Sequence, residues 1–364
     1  MLAAGTVILT LAITLLLIRG LAPALLNIPV DLQMVQTSKS VPPFFDGIFR
    51  EADYATDAML LKDPYLNVRF KPLLPGNGTS GPHDILGFRN AGIPNTVDIV
   101  AIGDSQTYGL GVAFEDNWPS QLTGQLGHKQ LGVYSMAVGG WAAIQYLDIF
   151  AKAALLKPTV VIVAFYSGND SLESFAMAYG TSYWAGLRVN PALQGSDAPE
   201  VTPLLSMKHL WPVTFSDGTE VVFTPRARLD INDSDHPAVH AGFDIMAEAA
   251  RRIGALARSR DIVVVFTVIP TRELAYARKV SRDRLGAPES YRRLIVMEAG
   301  NIERLAVEIR AIPGARYLDL VAPLQAAALA GEPLYPRKWD GHPGRAGYQI
   351  IAATLATELD VLFP

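Results

Sequence analysis

The sequence predicts an α/β protein built on a parallel β-sheet that carries helices on both faces. Short apolar runs rich in β-branched residues alternate with longer segments whose apolar residues recur at helical spacing. The strongest run, residues 158–166, is almost wholly apolar, as a strand buried on both faces requires. Alternation of strands and helices is typical of parallel sheets joined by crossover helices.

Five strands and four long helices are predicted. The predicted strands are the apolar run that ends at Gly103, followed by residues 131–137, 158–166, 261–269 and 315–320. The predicted helices are residues 141–156, 238–260, 291–312 and 344–359. Residues 180–237 interrupt the alternation because they are rich in Pro, Gly and Trp, and they are interpreted as an insertion after the third strand. At the carboxyl end of a strand, an insertion is placed to form a lid or a substrate wall.

The composition excludes several classes of function. The chain has 364 residues, a formal net charge of -4 and no cysteine. It lacks the basic character that nucleic-acid binding requires, so no nucleic-acid partner is expected. Without cysteine, disulfides, thiolate metal sites and cysteine nucleophiles are excluded. His236 and His240 lie four apart but have no third ligand nearby in sequence, so we expect neither a metal nor another cofactor.

The first 30 residues carry a membrane signal. Residues 2–18 are almost unbroken apolar sequence and are followed by Arg19 and a second apolar run. About 20 apolar residues suffice to cross a bilayer, so residues 1–30 are predicted to be a transmembrane anchor. A cleaved secretory signal is the alternative, since residues 22–24 imitate a cleavage site. Either interpretation places the rest of the chain outside the cytoplasm, in the periplasm or at the cell surface.

The rest of the chain divides into a linker and one domain. Residues 31–96 are interrupted by prolines and glycines, which predicts a linker and an N-terminal extension without a core of its own. Residues 97–364 contain all the predicted strands and long helices and form the predicted main domain, with the insertion at about residues 180–237.

Four polar, glycine-containing blocks lie at strand ends or before the last helix. They are Gly103-Asp104-Ser105, Gly139-Gly140, Gly168-Asn169-Asp170 and Asp340-Gly341-His342-Pro343. In open α/β sheets, chemistry collects at the carboxyl ends of the strands. The blocks are therefore predicted to meet in one site.

The residue types in these blocks suit nucleophilic catalysis. A serine hydroxyl such as that of Ser105 becomes a strong nucleophile when an imidazole takes its proton, and the imidazole needs an acceptor on its other nitrogen. Asp340 and His342 are two residues apart, so in an extended segment their side chains share a face, and Gly341 permits a tight turn between them. The alternative for Ser105 is a cap on the following helix.

In their order and spacing, the four blocks resemble the SGNH/GDSL hydrolase superfamily. The resemblance implies a flavodoxin-like three-layer α/β/α sandwich with a five-stranded, mainly parallel sheet. It implies Ser105 as the nucleophile and His342 as the base. It also implies an oxyanion hole formed by the backbone N–H groups of Ser105 and Gly140 and the side-chain amide of Asn169.

Three positions depart from the superfamily pattern, and one of them is Gly344, where the residue after His-Pro is often Asn. Many members place the acid three residues before the histidine, where this chain has Trp339. The Asp-x-His spacing looks more like that of the alginate-type acetyltransferase branch, so the acid is either Asp340, the candidate, or absent. In the superfamily the segment that carries the second block usually begins with Asn, and in this chain that segment begins with Ser135, ahead of Gly139.

Arg272 follows the fourth predicted strand at the catalytic edge and is a candidate substrate contact, with a surface turn as the alternative.

The sequence therefore predicts a membrane-anchored serine esterase or O-acyltransferase that works through an acyl-Ser105 intermediate. The expected acyl group is acetyl, and the expected substrate is an acylated carbohydrate or another small ester. An envelope or exported glycan, with its polysaccharide machinery, is the expected partner. One alternative is a non-catalytic envelope scaffold or glycan-binding module with a degraded site. The other is a lipid-directed esterase or phospholipase whose acyl channel is lined by residues of the insertion, namely Trp184, Leu187, Leu204, Leu205 and Trp211.

Overall fold

The strands and helices follow the predicted alternation. The computed structural model describes residues 59–63, 65–204, 206–337 and 341–363. In chain order the strands of this part are β1 (Leu60–Asp63), β2 (Asn67–Phe70), β3 (Ile99–Gly103), β4 (Val133–Ala137), β5 (Val160–Tyr166), β6 (Trp211–Thr214), β7 (Glu220–Phe223), β8 (Val263–Ile269) and β9 (Ala315–Asp319). The α-helices are α1 (Ser105–Tyr108), α2 (Trp118–Gln125), α3 (Ala143–Ala153), α4 (Asp170–Gly180), α5 (Pro225–Asn232), α6 (Pro237–Arg258), α7 (Arg272–Ala275), α8 (Ala277–Arg282), α9 (Glu289–Arg310), α10 (Val321–Leu329) and α11 (Arg345–Leu362).

The central sheet confirms the predicted fold class. Its strand order is β4-β3-β5-β8-β9, and each neighbouring pair is parallel. Numbered within the sheet, this is the flavodoxin-like order 2-1-3-4-5, in which the crevice between the first and third strands is the switch point where ligands bind. In this chain the switch point lies between β3 and β5. Gly103 at the end of β3 pairs with Ala164 of β5, so the two strands end beside each other.

Helices cover both faces of the sheet, which makes three layers. One apolar core joins alternate strand residues such as Val100 and Val161 to helices α3, α6 and α9. The other joins the intervening residues, such as Ile99 and Ile162, to helices α2, α10 and α11. Successive side chains of a strand point to opposite faces, so each strand feeds both cores. All seven residues of β5 are buried, as its apolar run predicts.

The segment before β3 packs on the first core. Strands β1 and β2 form an antiparallel hairpin. Leu66, Phe70 and Phe88 join the same apolar cluster as β3 and β4. The described part of the extension therefore adds apolar side chains to the core of the main sheet.

The insertion after α4 contributes to the second core. Strands β6 and β7 form an antiparallel hairpin, and Val213, Val221 and Phe223 of this hairpin are buried among residues of the second core. The insertion ends in α5, whose residues from Ala227 to Asn232 are buried.

The predicted transmembrane anchor at residues 1–30 lies outside the described residues. Of the helices that the structure describes, none is long and apolar enough to cross a membrane.

Glu298 of α9 ties together the ends of two central strands. Its carboxyl accepts hydrogen bonds from Ser167 Oγ (2.6 Å), the backbone N–H of Thr271 (2.7 Å) and Thr271 Oγ1 (2.6 Å). Ser167 directly follows β5, and Thr271 lies just after β8. Burial raises the pKa of Glu298 to about 7, although these hydrogen bonds oppose the shift. The carboxyl therefore binds its proton more tightly in the folded protein than in the unfolded chain, where its pKa is near 4.5.

This raised pKa predicts a pH-dependent stability. The contribution of Glu298 is complete at low pH and is lost as the pH rises from its unfolded to its folded pKa, so the free energy of unfolding falls over that window. One group contributes at most about 1.4 kcal/mol per pH unit. We expect Glu298→Gln, which does not titrate, to reduce this slope in urea denaturation series. Glu303→Gln changes an exposed carboxyl on the same helix and should keep the wild-type slope; an unchanged slope in Glu298→Gln would contradict the assignment.

Candidate active site

Ser105 lies at the turn between the end of β3 and α1. A Cβ atom at Gly103 would lie 2.1 Å from Thr107 Oγ1, so only glycine fits where the chain turns into the helix. Asp104 caps the helix, because its Oδ1 accepts a hydrogen bond from the backbone N–H of Gln106 at 2.8 Å. Asp104 therefore holds the turn that precedes Ser105. Ser105 is the first residue of the helix and is partly exposed.

His342 lies beside Ser105, although 237 positions separate them in sequence. The distance from His342 Nε2 to Ser105 Oγ is 2.9 Å. A histidine nitrogen at this distance can take the hydroxyl proton. Gly341 has φ +76°, in the left-handed region that favours glycine, which matches the predicted tight turn. Asp340 lies outside the described residues, so its role as the orienting acid stays a prediction.

Asp104 places a second acceptor near the serine hydroxyl. Its Oδ2 lies 3.3 Å from Ser105 Oγ, farther than the histidine nitrogen. Burial raises the pKa of Asp104 to about 6, while the Gln106 N–H and the charge of His342 lower it. The shorter contact favours proton transfer to His342.

The other two blocks lie at the neighbouring strand ends. Gly140, after β4, is buried and has φ +80°, a conformation that a residue with a side chain rarely adopts. A Cβ atom at the adjacent Gly139 would approach Ser105 Cβ to 3.6 Å, which places the second block against the serine. Asn169 follows β5, is 7% exposed and donates from Nδ2 to Glu173 Oε1 at 2.9 Å. The structure therefore brings the second and third blocks to the same sheet edge as Ser105.

Arg228 lies between the third and fourth blocks, and the sequence analysis did not identify it. Its Nη1 donates to the backbone oxygen of Gly168 at 2.9 Å. A Cβ atom at Gly341 would lie 2.8 Å from its Nη2. Arg228 is 5% exposed and comes from α5 of the insertion. Arg228 therefore bonds to the loop of Asn169 and lies close to the loop of His342. No pattern in the sequence links it to either loop.

Asn90 hydrogen-bonds to β4, the strand that leads to the second block, and the sequence analysis did not identify this contact. Its side chain accepts a hydrogen bond from the backbone N–H of Ser135 (3.0 Å) and donates to the Ser135 oxygen (2.9 Å). Ser135 stands where the superfamily pattern usually has Asn. An asparagine amide from the N-terminal extension thus bonds the backbone at this position.

Arg272 is buried in the structure, and its role as a substrate contact stays a prediction. Arg272 begins α7 and is only 1% exposed. Its side chain therefore does not lie on a surface turn, which was the alternative interpretation. In the described part of the chain, no group of three or more His, Cys, Asp or Glu side chains is arranged to hold a metal ion.

The described site brings together a serine, an imidazole and three glycine-containing loops at the switch point of a flavodoxin-like sheet. In fold and in motif order, the chain resembles the SGNH/GDSL hydrolases. No protein-family model matches the chain, and no curated protein matches it.

Several solved structures are similar to this chain at low sequence identity. One is the psychrotrophic esterase EstA from Pseudoalteromonas sp., with 10% identity, a TM-score of 0.38, and coverage of 73% of this chain and 98% of that chain. A GDSL-like lipase from Bacteroides thetaiotaomicron has 14% identity, a TM-score of 0.36, and coverage of 72% and 88%. A mutant of Axe2, an acetyl-xylooligosaccharide esterase from Geobacillus stearmophilus, has 14% identity, a TM-score of 0.40, and coverage of 73% and 95%. At such values these matches do not define a substrate for this chain.

The position of Gly341 predicts a sensitive site beside His342. Gly341→Ala places a side chain at a φ of +76°, which strains the backbone, and its Cβ would displace the end of Arg228; we expect the strained loop to relax and move the imidazole. We expect the rate of Ser105 labelling by a fluorophosphonate probe to fall between about ten- and a hundredfold, as small misplacements of a catalytic group do. The matched control is Gly344→Ala, whose Cβ would meet no atom closer than 3.6 Å and whose φ is -80°. Equal labelling rates for the two variants would contradict the prediction.

Proposed function

We propose that this protein is a serine ester hydrolase that works through an acyl-Ser105 intermediate. The observation that carries the proposal is the 2.9 Å contact between Ser105 Oγ and His342 Nε2. A serine that served only as a helix cap would not need an imidazole at its hydroxyl. The cap of α1 is instead the side chain of Asp104.

The reaction follows from this contact. His342 takes the proton of Ser105 as Oγ attacks the acyl carbon, and a tetrahedral oxyanion forms. The imidazolium then protonates the leaving oxygen as the C–O bond breaks, which leaves the acyl group on Ser105. His342 next removes a proton from water, the water attacks the acyl-enzyme, and Ser105 regains its proton as the acid leaves.

The oxyanion requires donors that are already in place. The N–H of Ser105, the N–H of Gly140 and the amide of Asn169 are the proposed donors, and each such donor is typically worth about 3 to 4 kcal/mol of activation free energy. The burial of Gly140 and Asn169 supports this role, because hydrogen bonds to a charge are stronger where water is excluded. Asp340 is proposed to orient the imidazole from its other nitrogen.

The decisive experiment uses the full chain in detergent with a fluorophosphonate probe and a short aryl acetate. We expect the wild type to be labelled and to turn over, and Ser105→Ala to abolish both. His342→Ala should lower kcat by at least about a thousandfold, and Asp340→Asn should lower it sharply. The control is Ser259→Ala, a serine at the opposite edge of the sheet, just before β8.

A folded wild type with neither labelling nor turnover would contradict the enzyme proposal. Glycan binding by a non-catalytic scaffold would then be the next hypothesis.

We further propose that the acyl group is small, with acetyl the first candidate. Residues that would line a long acyl channel are instead divided between separate clusters. Leu187 is buried and packs in a third apolar cluster, against which Trp184 lies. Trp211 packs on Phe223 and Tyr291 in the second core, with ring centroids 5.3 and 4.8 Å away. Leu205 lies outside the described residues.

This division predicts a preference for short acyl chains. With aryl esters of increasing chain length, we expect kcat/KM to be highest for acetate and to fall steadily toward octanoate, because the described residues of the candidate channel lie in separate apolar clusters. Spontaneous hydrolysis of each ester is subtracted as the control. A kcat/KM that rises with chain length would favour the lipid-directed esterase instead.

The same proposal includes the cellular location of the enzyme and the molecule that accepts the acyl group. The apolar segment at residues 1–30 supports an anchored enzyme whose domain faces the periplasm or the cell surface, where an acylated envelope or exported glycan would be its substrate. Retention of the full chain in the membrane fraction after an alkaline wash tests the anchor. Incubation of the acyl-enzyme with sugar acceptors, followed by mass analysis, distinguishes transfer to a sugar hydroxyl from hydrolysis.

A further inference from the structure

Glu173 is a fully buried carboxyl that the proposed reaction does not use. It lies one helical turn after Asn169 on α4, and its exposed fraction is 0%. Its Oε1 accepts a hydrogen bond from Asn169 Nδ2 at 2.9 Å. Residues four apart at the start of a helix lie on the same face, so this contact follows directly from the sequence spacing once α4 forms.

The surroundings favour the uncharged form of this carboxyl. Burial raises the pKa of Glu173 well above its usual range, and the charge of Asp104 raises it further. The hydrogen bond from Asn169 and the charge of Arg228 oppose the shift. An uncharged acid can hold the amide without adding a negative charge beside a developing oxyanion.

The side-chain amide of an asparagine is not held in place by its own torsion. The last torsion angle of Asn is broad and roughly two-fold, so its N–H₂ and C=O ends exchange places easily. An oxyanion is stabilised by an N–H group and repelled by a carbonyl oxygen. Asn169 therefore contributes to an oxyanion hole only if a second group fixes its amide.

We propose that Glu173 is a positioning residue that binds one N–H of the Asn169 amide and so directs the second N–H to the oxyanion. This inference rests on the proposed function. Glu173 acts through Asn169 and does not touch the substrate. Glu173 lies outside the motif of the third block, three residues after Asp170.

The experiment is a double-mutant cycle on the full chain with an aryl acetate. Asn169→Ala should lower kcat by about 10²- to 10³-fold, the usual loss for one oxyanion donor. Glu173→Met, of similar length but with no acceptor oxygen, should lower kcat about tenfold or more while KM changes less than about twofold. Glu173→Gln keeps an uncharged acceptor and should retain kcat within about threefold of wild type.

The double variant decides between positioning and general structural support. If Glu173 acts through Asn169, Asn169→Ala combined with Glu173→Met has the kcat of Asn169→Ala alone, within about twofold. Losses that multiply would overturn the proposal, as would a Glu173→Met variant with wild-type kcat. Thermal unfolding of each variant is the folding control, and Glu173→Ala takes the place of the methionine variant if that variant does not fold.

The two proposals fail in different ways. An inactive wild type, or a Ser105→Ala variant that is still labelled, removes the proposed function. An active wild type that loses activity in Asn169→Ala, but not in the Glu173 variants, removes the positioning role alone.

Discussion

Burial of the central sheet on both faces decides where chemistry is possible in this protein. Every residue of β3 and β5 is buried, so their side chains serve the two apolar cores. Polar side chains that need solvent or a substrate must therefore follow the strand ends. Ser105 follows β3 and Asn169 follows β5, and since these strands pair in parallel, both residues reach the same edge. His342 lies in the loop before α11, and its Nε2 contacts Ser105 Oγ at the same edge.

Several buried acids lie at the sheet edge that carries the candidate site, and each accepts hydrogen bonds from donors of its own. Asp104 accepts from the Gln106 N–H, and Glu298 binds the ends of β5 and β8. Asp170 accepts from the Tyr166 N–H at 2.9 Å, and burial raises its pKa well above the usual range. A buried carboxyl without partners is strongly destabilising, so these hydrogen bonds explain how the fold tolerates such residues. The same residues hold the loops that carry the site.

The extension and the insertion work as braces around this edge. Arg89, 1% exposed, donates to the backbone oxygens of Gly81 (2.7 Å), Tyr108 (3.2 Å) and Val112 (2.8 Å), and also to that of Gly109. It thereby holds the end of α1, the helix that begins with Ser105. Arg228 of the insertion donates to the backbone oxygen of Gly168 and lies close to Gly341. Segments that looked peripheral in sequence thus rigidify the loops of the site.

The sequence by itself determined the fold class, the five central strands and the blocks that carry the site. Strand burial leaves a strong local signal, because apolar β-branched runs such as residues 158–166 have few alternatives, and Gly-rich turns mark their ends. Helix α4 was not predicted, because its polar residues Asp170, Glu173 and Ser174 are buried together with its apolar ones, so residue polarity does not separate a buried face from an exposed face.

Only the tertiary structure decided which side chains support the site. Arg228 and Asn90 contact residues of distant segments, and Arg272 is buried although it follows a strand at the catalytic edge. Such contacts depend on how distant segments pack, and packing between segments leaves no period or spacing in the sequence. The position of a residue along the chain shows which edge of the sheet it reaches, whereas its exposure and partners are set by the elements that pack around it.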